Sequence, residues 1–460
     1  MSVPKVLLWL TLLVYIITNI ILLIVVEPGL YLSKGADSAS WYGPALALLE
    51  HGYFVNLNSP STLMTYRPPL YPLFEAIMLW IGNGKIIAII IGQIILLWIT
   101  GRFAGYISRL YFPKYEVVTI FLVVFNPNAL GSAHLIQSDT LYAFFIVLTA
   151  WALIQYMFSD NKFKWGLIIG VFLGASCLVR PTGQYLILII PIVLLLINTL
   201  SNNKKIFSSS IVHGIAGMIA SSLIVFPWMM HNEKAGWGYV LVTSEIKKVY
   251  LMDSVIYAEK KYQNISIGKA SNIIAENEKR YIDSEGELWL HLGDKEKADQ
   301  LVSFYEQKLI SYPATILFKS YLDSWIGFFG GGGGVNFHNL LSIEGERAID
   351  KNRTHNYSGR LELALATFLE SSFPAALISI FSYLYVIALR VLGLFGLIEM
   401  VKRKEYPLML VIVGLITYFA MMVIFVGTSR YRLPVEFGLV VLALYGASFF
   451  SSRKTENEIH

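Results

Sequence analysis

The chain is poor in cysteine and in charge. Cys177 is the single cysteine among 460 residues, so an intrachain disulfide is impossible and a thiolate metal cluster is excluded. Charged residues make up 15% of the sequence, against about 25% in soluble domains. There is no His-x-x-x-His or Glu-x-x-His pair, which leaves a zinc site without its usual framework. No basic stripe with interleaved aromatics suggests nucleic acid, and the net charge of +5 is modest. Five consecutive glycines, Gly330 to Gly334, lack the Lys-Ser/Thr that follows a phosphate-binding loop. That run reads as a flexible loop or hinge, either a plain linker or part of a lid.

Apolar residues are abundant instead. They form 55% of the chain, with a mean hydropathy of +0.58, and they come in long uncharged blocks. Segments of roughly 17 to 25 apolar residues cross a bilayer, and the candidates are 6–26, 85–104, 116–134, 139–158, 165–179, 183–200, 207–229, 373–397, 406–427 and 434–450. The expected fold is an all-α polytopic membrane protein with about ten transmembrane helices. Pro127 predicts a kink in the third span. The stretch 68–82 is short and flanked by proline and glycine, so it reads as an interfacial or re-entrant helix. The first apolar block is too long for a signal-peptide core and reads as an uncleaved anchor.

Loop charges predict the orientation. Arg102, Arg109 and Lys114, then Lys162 and Lys164, then Lys204 and Lys205, then Lys402, Arg403 and Lys404 fall in alternate short loops. With Lys5 and the tail residues Arg453 and Lys454, they place both termini in the cytoplasm. The opposite face receives the first loop, 27–84, and a mostly helical insertion over 230–372. The chain thus divides into an N-terminal membrane module over 1–229, an extracytoplasmic part over 230–372, and C-terminal helices with a tail over 373–460.

Ionisable residues collect on that extracytoplasmic face, where burial near hydrocarbon makes them costly and hence informative. Asp37 reads either as the cap of a following helix or as a general base. Arg67 precedes two prolines that hold it rigidly; it reads as a lipid-facing anchor or as a guanidinium fork for a phosphate. Arg180, Arg430 and Arg432 invite the same two readings. Asp139 opens a span, as a cap favoured by the helix dipole or as a second acidic group. A divalent cation shared by Asp37 and Asp139 stays open. Tyr66, Tyr71, His231 and Tyr431 are candidate substrate contacts, while His134, His338 and His355 carry no clear role. Tryptophans such as Trp41 and Trp228 suit an interfacial belt, and some could stack on sugar rings. Asn264, Asn352 and Asn356 head sequons that matter only where N-glycosylation occurs.

An acidic residue in the first loop followed by Arg67-Pro68-Pro69-Leu70-Tyr71-Pro72 resembles the integral membrane glycosyltransferases of the C superfamily, GT-C, and within it the protein O-mannosyltransferase and lipid A aminoarabinose transferase group. Gln137-Ser138-Asp139, the segment from Gly170 to Gly183, Phe226-Pro227-Trp228 and Arg430-Tyr431-Arg432-Leu433-Pro434 extend the likeness over most of 1–232 and 374–450. The region 233–372 resembles nothing in that group. His231-Asn232 departs from the Arg-Asn of many relatives.

The resemblance implies a polyprenyl-phosphate sugar donor, of the undecaprenyl- or dolichyl-phosphate-mannose-like kind, used outside the cytoplasm. Asp37 would then be the base and Asp139 the second acidic position. Arg67 would hold the donor phosphate, with Arg180, Arg430 and Arg432 as further candidates. The acceptor would be a glycan, lipid or protein hydroxyl, and the setting a bacterial inner membrane with the site facing the periplasm. An O-antigen-type polymerase or ligase and a flippase for a lipid-linked substrate are the alternatives; spans nearly free of internal charge speak against a carrier.

Overall fold

The computed structural model describes residues 3–26, 31–34, 37–201, 207–341, 369 and 373–457. Among them the protein is almost entirely helical, as the apolar blocks predict. Eight helices are long and apolar enough to cross a membrane, and a bent pair makes up to nine. The first is α1 (Val3–Val25), followed by the short α2 (Tyr31–Lys34) and by α3 (Ser38–His51). A two-stranded antiparallel ribbon, β1 (Val55–Asn56) and β2 (Ser59–Leu63), comes next. The apolar α4 (Leu70–Ile81) is too short to count as a span, as Pro69 before it and Gly82 after it predict.

Next come α5 (Ile87–Tyr111), α6 (Glu116–Val124) and α7 (Pro127–Ala133). The expected third span is the pair α6 and α7, bent by 55°. Pro127 has no N–H to donate and starts a new helix, with the Asn126 side chain accepting from the Ala129 N–H at 3.1 Å. Four further spans follow: α8 (Asp139–Phe158), α9 (Lys162–Val179), α10 (Gln184–Leu200) and α11 (Phe207–Lys234). Helix α11 runs past the expected boundary at 229.

The insertion contributes α12 (Ser244–Gln263), α13 (Ile267–Glu285), α14 (Glu287–His291) and α15 (Asp294–Ile310). These enclose a core of their own around Val255, Ile274, Leu301 and Tyr305. Helices α16 (Ala314–Gly330) and α17 (Gly334–Leu341) return to the membrane body. The chain closes with α18 (Phe373–Lys402), α19 (Tyr406–Met422), the short turn α20 (Ser429–Arg432) and α21 (Glu436–Asn457). At 17 residues α19 falls below spanning length; with it and the bent pair, the ten expected apolar segments are all helical.

The most enclosed spans are α8 and α21, and α1 is the least enclosed. Backbones touch where glycine permits it. A Cβ on Gly170 would sit 2.0 Å from the Gly217 carbonyl across α9 and α11, and one on Gly446 would sit 1.9 Å from the Leu392 carbonyl across α21 and α18. Small residues at such crossings are how helices associate where lipid offers no hydrophobic drive.

The glycine run corrects the expectation of a flexible hinge. Gly332, Gly333 and Gly334 are buried. Gly333 has φ +81°, and a Cβ there would lie 2.5 Å from Asn128 Cβ; one on Gly334 would lie 3.1 Å from Ser379 Cα. The run is glycine because the chain threads between α7 and α18 with no room for side chains.

Candidate active site

Five charged side chains from five chain segments meet at one end of the bundle. Asp37 precedes α3, Arg67 precedes α4, Asp139 opens α8, Arg180 follows α9 and Arg430 lies in α20. Because α8 and α9 run antiparallel, the start of one and the end of the other fall on the same side.

Arg430 is the centre. Its Nη1 donates to Asp37 Oδ2 at 2.7 Å and its Nε to Asp139 Oδ2 at 2.8 Å. Arg180 flanks the far side, with Nη1 2.9 Å from Asp139 Oδ1, Nη2 donating to Oδ2 at 3.1 Å, and Nε donating to Ser138 Oγ at 2.9 Å. Arg67 flanks the near side, with Nη2 3.4 Å from Asp37 Oδ1. Positive and negative groups thus alternate from Arg67 to Arg180, with three arginines to two carboxylates. The Nη2 of Arg430 is buried and has no hydrogen-bond partner among the described residues.

The capping reading of Asp37 fails on geometry. Its carboxylate makes no cap bond to α3 and turns to the arginines instead. Burial alone would raise its pKa, but the charges of Arg430 and Arg67 and the Arg430 hydrogen bond outweigh that and lower it to about 2. Asp139 likewise is not the cap residue of α8, a position taken by Ser138; its carboxylate is 1% exposed and is neutralised by Arg180 and Arg430.

Arg67 is held rigidly. Its Nη2 and Nε donate to Ser40 Oγ at 2.6 and 3.1 Å, and its guanidinium lies between the rings of Trp41 at 4.4 Å and Tyr66 at 4.7 Å. Cation–π contact of this kind fixes the fork. Tyr431 sits 5.9 Å from the Arg180 guanidinium, so Tyr66 and Tyr431 each cover one arginine of the cluster. Trp41 thus serves the site rather than a lipid belt.

Three expected site residues stand apart. Arg432 is fully buried: its Nε donates to Glu436 at 2.6 Å, its Nη2 to the Gly331 carbonyl at 2.8 Å, and its Nη1 to the Phe328 carbonyl. It anchors the glycine run and does not reach the cluster. Tyr71 is buried beneath Trp41, in an edge contact with a ring separation of 5.2 Å, and donates to Gln93 Oε1 at 2.9 Å. His231 stacks on Trp228 and bonds the Met64 carbonyl through Nε2 at 2.9 Å; it braces the segment that leads to Arg67. His355 and the sequons at Asn352 and Asn356 lie outside the described residues.

Sequence reasoning missed Ser40, Ser138 and Gln93. Gln93 Nε2 donates to the Ala133 and Leu135 carbonyls at 3.0 and 2.9 Å, and Ser38 Oγ donates to the Ile136 carbonyl at 2.9 Å. Together they fix the loop that delivers Asp139. A lone glutamine inside the apolar block 85–104 was the available signal, because a buried amide must find partners. Among the described residues no group of three or more His, Cys, Asp or Glu gathers as for a metal ion. The place between Asp37 and Asp139 that a shared cation would take is filled by the Arg430 guanidinium.

Residues 66–231 match the family model described as dolichyl-phosphate-mannose-protein mannosyltransferase. The match includes Arg67, Asp139 and Arg180 but ends before α12. The resemblance, the helical architecture and this match define the class, a membrane glycosyltransferase of the GT-C superfamily. A solved structure of the archaeal oligosaccharyltransferase AglB from Archaeoglobus fulgidus, in complex with an inhibitory peptide and a dolichol-phosphate, is similar at 14% identity and a TM-score of 0.48. That likeness covers 98% of this chain, which spans about half, 52%, of that protein's length. No curated protein matches significantly.

Proposed function

We propose that the protein transfers a sugar from a polyprenyl-phosphate donor to a hydroxyl on a glycan, lipid or protein acceptor, at the extracytoplasmic face of a bacterial inner membrane. The single observation that carries this reading is the cluster in which Arg430 bridges Asp37 and Asp139, with Arg67 and Arg180 on either flank and a buried Arg430 Nη2 left without a partner. Three guanidiniums against two carboxylates leave a surplus positive charge, and guanidinium forks match phosphate geometry. The basic loops at the opposite end of the bundle support the orientation.

In this reading the acceptor oxygen attacks the anomeric carbon. The bond from that carbon to the phosphate oxygen breaks, its electron pair leaves with polyprenyl phosphate, and the acceptor proton passes to Asp37. One displacement inverts the anomeric centre. Phosphate is already a good leaving group, so no second carboxylic acid is needed to protonate it, unlike in a glycosidase. Arg67, Arg180 and Arg430 stabilise the charge that grows on the departing phosphate. The incoming phosphate also competes with Asp37 for Arg430 and Arg67. The carboxylate that these arginines hold near pKa 2 becomes more basic once the donor is seated. Arg430 does the work that a divalent cation between Asp37 and Asp139 would otherwise do. The chain is organised as a membrane module over 1–234, an insertion from 235 into the segment before α18, and the C-terminal helices that bring Arg430 back to the site.

The test is a panel of radiolabelled polyprenyl-phosphate sugars offered to the purified protein in proteoliposomes. Release of polyprenyl phosphate from one donor is expected. Turnover of a diphosphate-linked glycan with none of the monophosphate donors would point to a polymerase instead.

A further inference from the structure

The insertion lies outside the matched family region, yet it docks beside the cluster. Thr65 Oγ1 donates to Glu245 in the first turn of α12 at 3.3 Å, and His231 holds the Met64 carbonyl. Both contacts fall on the residues just before Tyr66 and Arg67. Farther along α12, Tyr250 is 54% exposed and within electrostatic reach of the hydroxyls of both Tyr66 and Tyr431. Those two rings already cover Arg67 and Arg180. Three tyrosines from three separate segments, the first loop, the insertion and the last turn, therefore gather beside the arginines.

We propose that Tyr66, Tyr250 and Tyr431 form the subsite for the pyranose ring carried on the donor phosphate, and that the insertion sets sugar choice through Tyr250. The inference rests on the phosphate reading of the arginines. A sugar joined to that phosphate must lie within one bond of it, next to these rings. Pyranose C–H faces pack on aromatic rings, phenols donate to and accept from sugar hydroxyls, and tyrosine offers such contacts at low cost in side-chain entropy. A tyrosine left open to solvent on a polar helix, facing two others that already cap charged ligand-binding groups, is placed for a ligand rather than for a core.

The experiment compares wild type, Tyr250→Ala and Tyr250→Phe for binding of two ligands: polyprenyl phosphate without sugar, and the glycosylated donor that the wild type turns over. Tyr250→Ala should bind polyprenyl phosphate within about twofold of wild type and the glycosylated donor about tenfold more weakly, the scale of one aromatic contact with a hydrogen bond. Tyr250→Phe should fall between. Equal binding of the glycosylated donor by Tyr250→Ala and wild type overturns the subsite. So does parallel weakening of both ligands, or a defect confined to the acceptor. Failure of the wild type to bind either ligand overturns the phosphate reading itself, and the subsite with it.

Discussion

Replacing Arg430 by alanine is the perturbation whose consequences the geometry defines most fully. The guanidinium is bonded at 2.7 Å to Asp37 and at 2.8 Å to Asp139. Without it the cluster passes from three arginines against two carboxylates to two against two, and the surplus positive charge disappears. Loss of one preorganised group that stabilises developing charge costs about 10²–10³ in kcat, and a loss in that range is expected here. The fold should tolerate the change. Asp139 keeps Arg180 at 2.9 and 3.1 Å, so its 1% exposed carboxylate is not orphaned, and Asp37 keeps Arg67. The expected loss of stability therefore lies at or below the low end of the roughly 3–5 kcal/mol for breaking a buried pair. The assay is single-turnover transfer from a saturating polyprenyl-phosphate sugar, beside a thermal melt of the same preparation. A normal melt with transfer within threefold of wild type would refute the charge-stabilising role. Arg430→Lys should rescue only part of the activity, because a point charge cannot bridge two carboxylates in the same way.

Arg432→Ala should do the opposite, destabilising the protein by roughly 3–5 kcal/mol because Glu436 is left buried and uncompensated; an unchanged melt would remove its structural role. Gly333→Ala should lower the melting temperature and expression, since φ is +81° and the new Cβ would meet Asn128 Cβ at 2.5 Å; a melt equal to wild type would contradict the packed glycine run. The carboxyl of Asp37 sits at about 2 instead of the usual 3.8, so its contribution to stability is present above about pH 4 and is lost as pH falls toward 2. That contribution is about 1 kcal/mol after discounting for a side chain one third exposed. Asp37→Asn should therefore melt below wild type at pH 7, with the gap narrowing toward pH 3; a gap independent of pH would contradict the ion pairs.

The spans and the gathering of charge on one face were legible because both follow from transfer energetics that act residue by residue. The kink at Pro127 was legible for the same reason: it needs only the missing N–H. Tertiary contacts decided the rest. Asp37 suits a helix cap in its local sequence, and only Arg430, 393 residues away in the chain, diverts it. Arg430 and Arg432 look equivalent as residues, yet positions two apart on a helical turn face nearly opposite ways. One therefore enters the cluster and the other enters the core beneath the glycine run. Five glycines suggest freedom when read alone, and close approach to Asn128 and Ser379 turns them into a packed strap. Tyr250 carried no signal, because its place depends on how the insertion docks through Thr65 and Met64.

The most direct measurement is single-turnover release of polyprenyl phosphate from a turned-over donor by wild type and Asp37→Asn, with donor binding measured on both. The account predicts that Asp37→Asn folds, still binds the donor and fails to transfer its sugar. Full transfer by Asp37→Asn would contradict it.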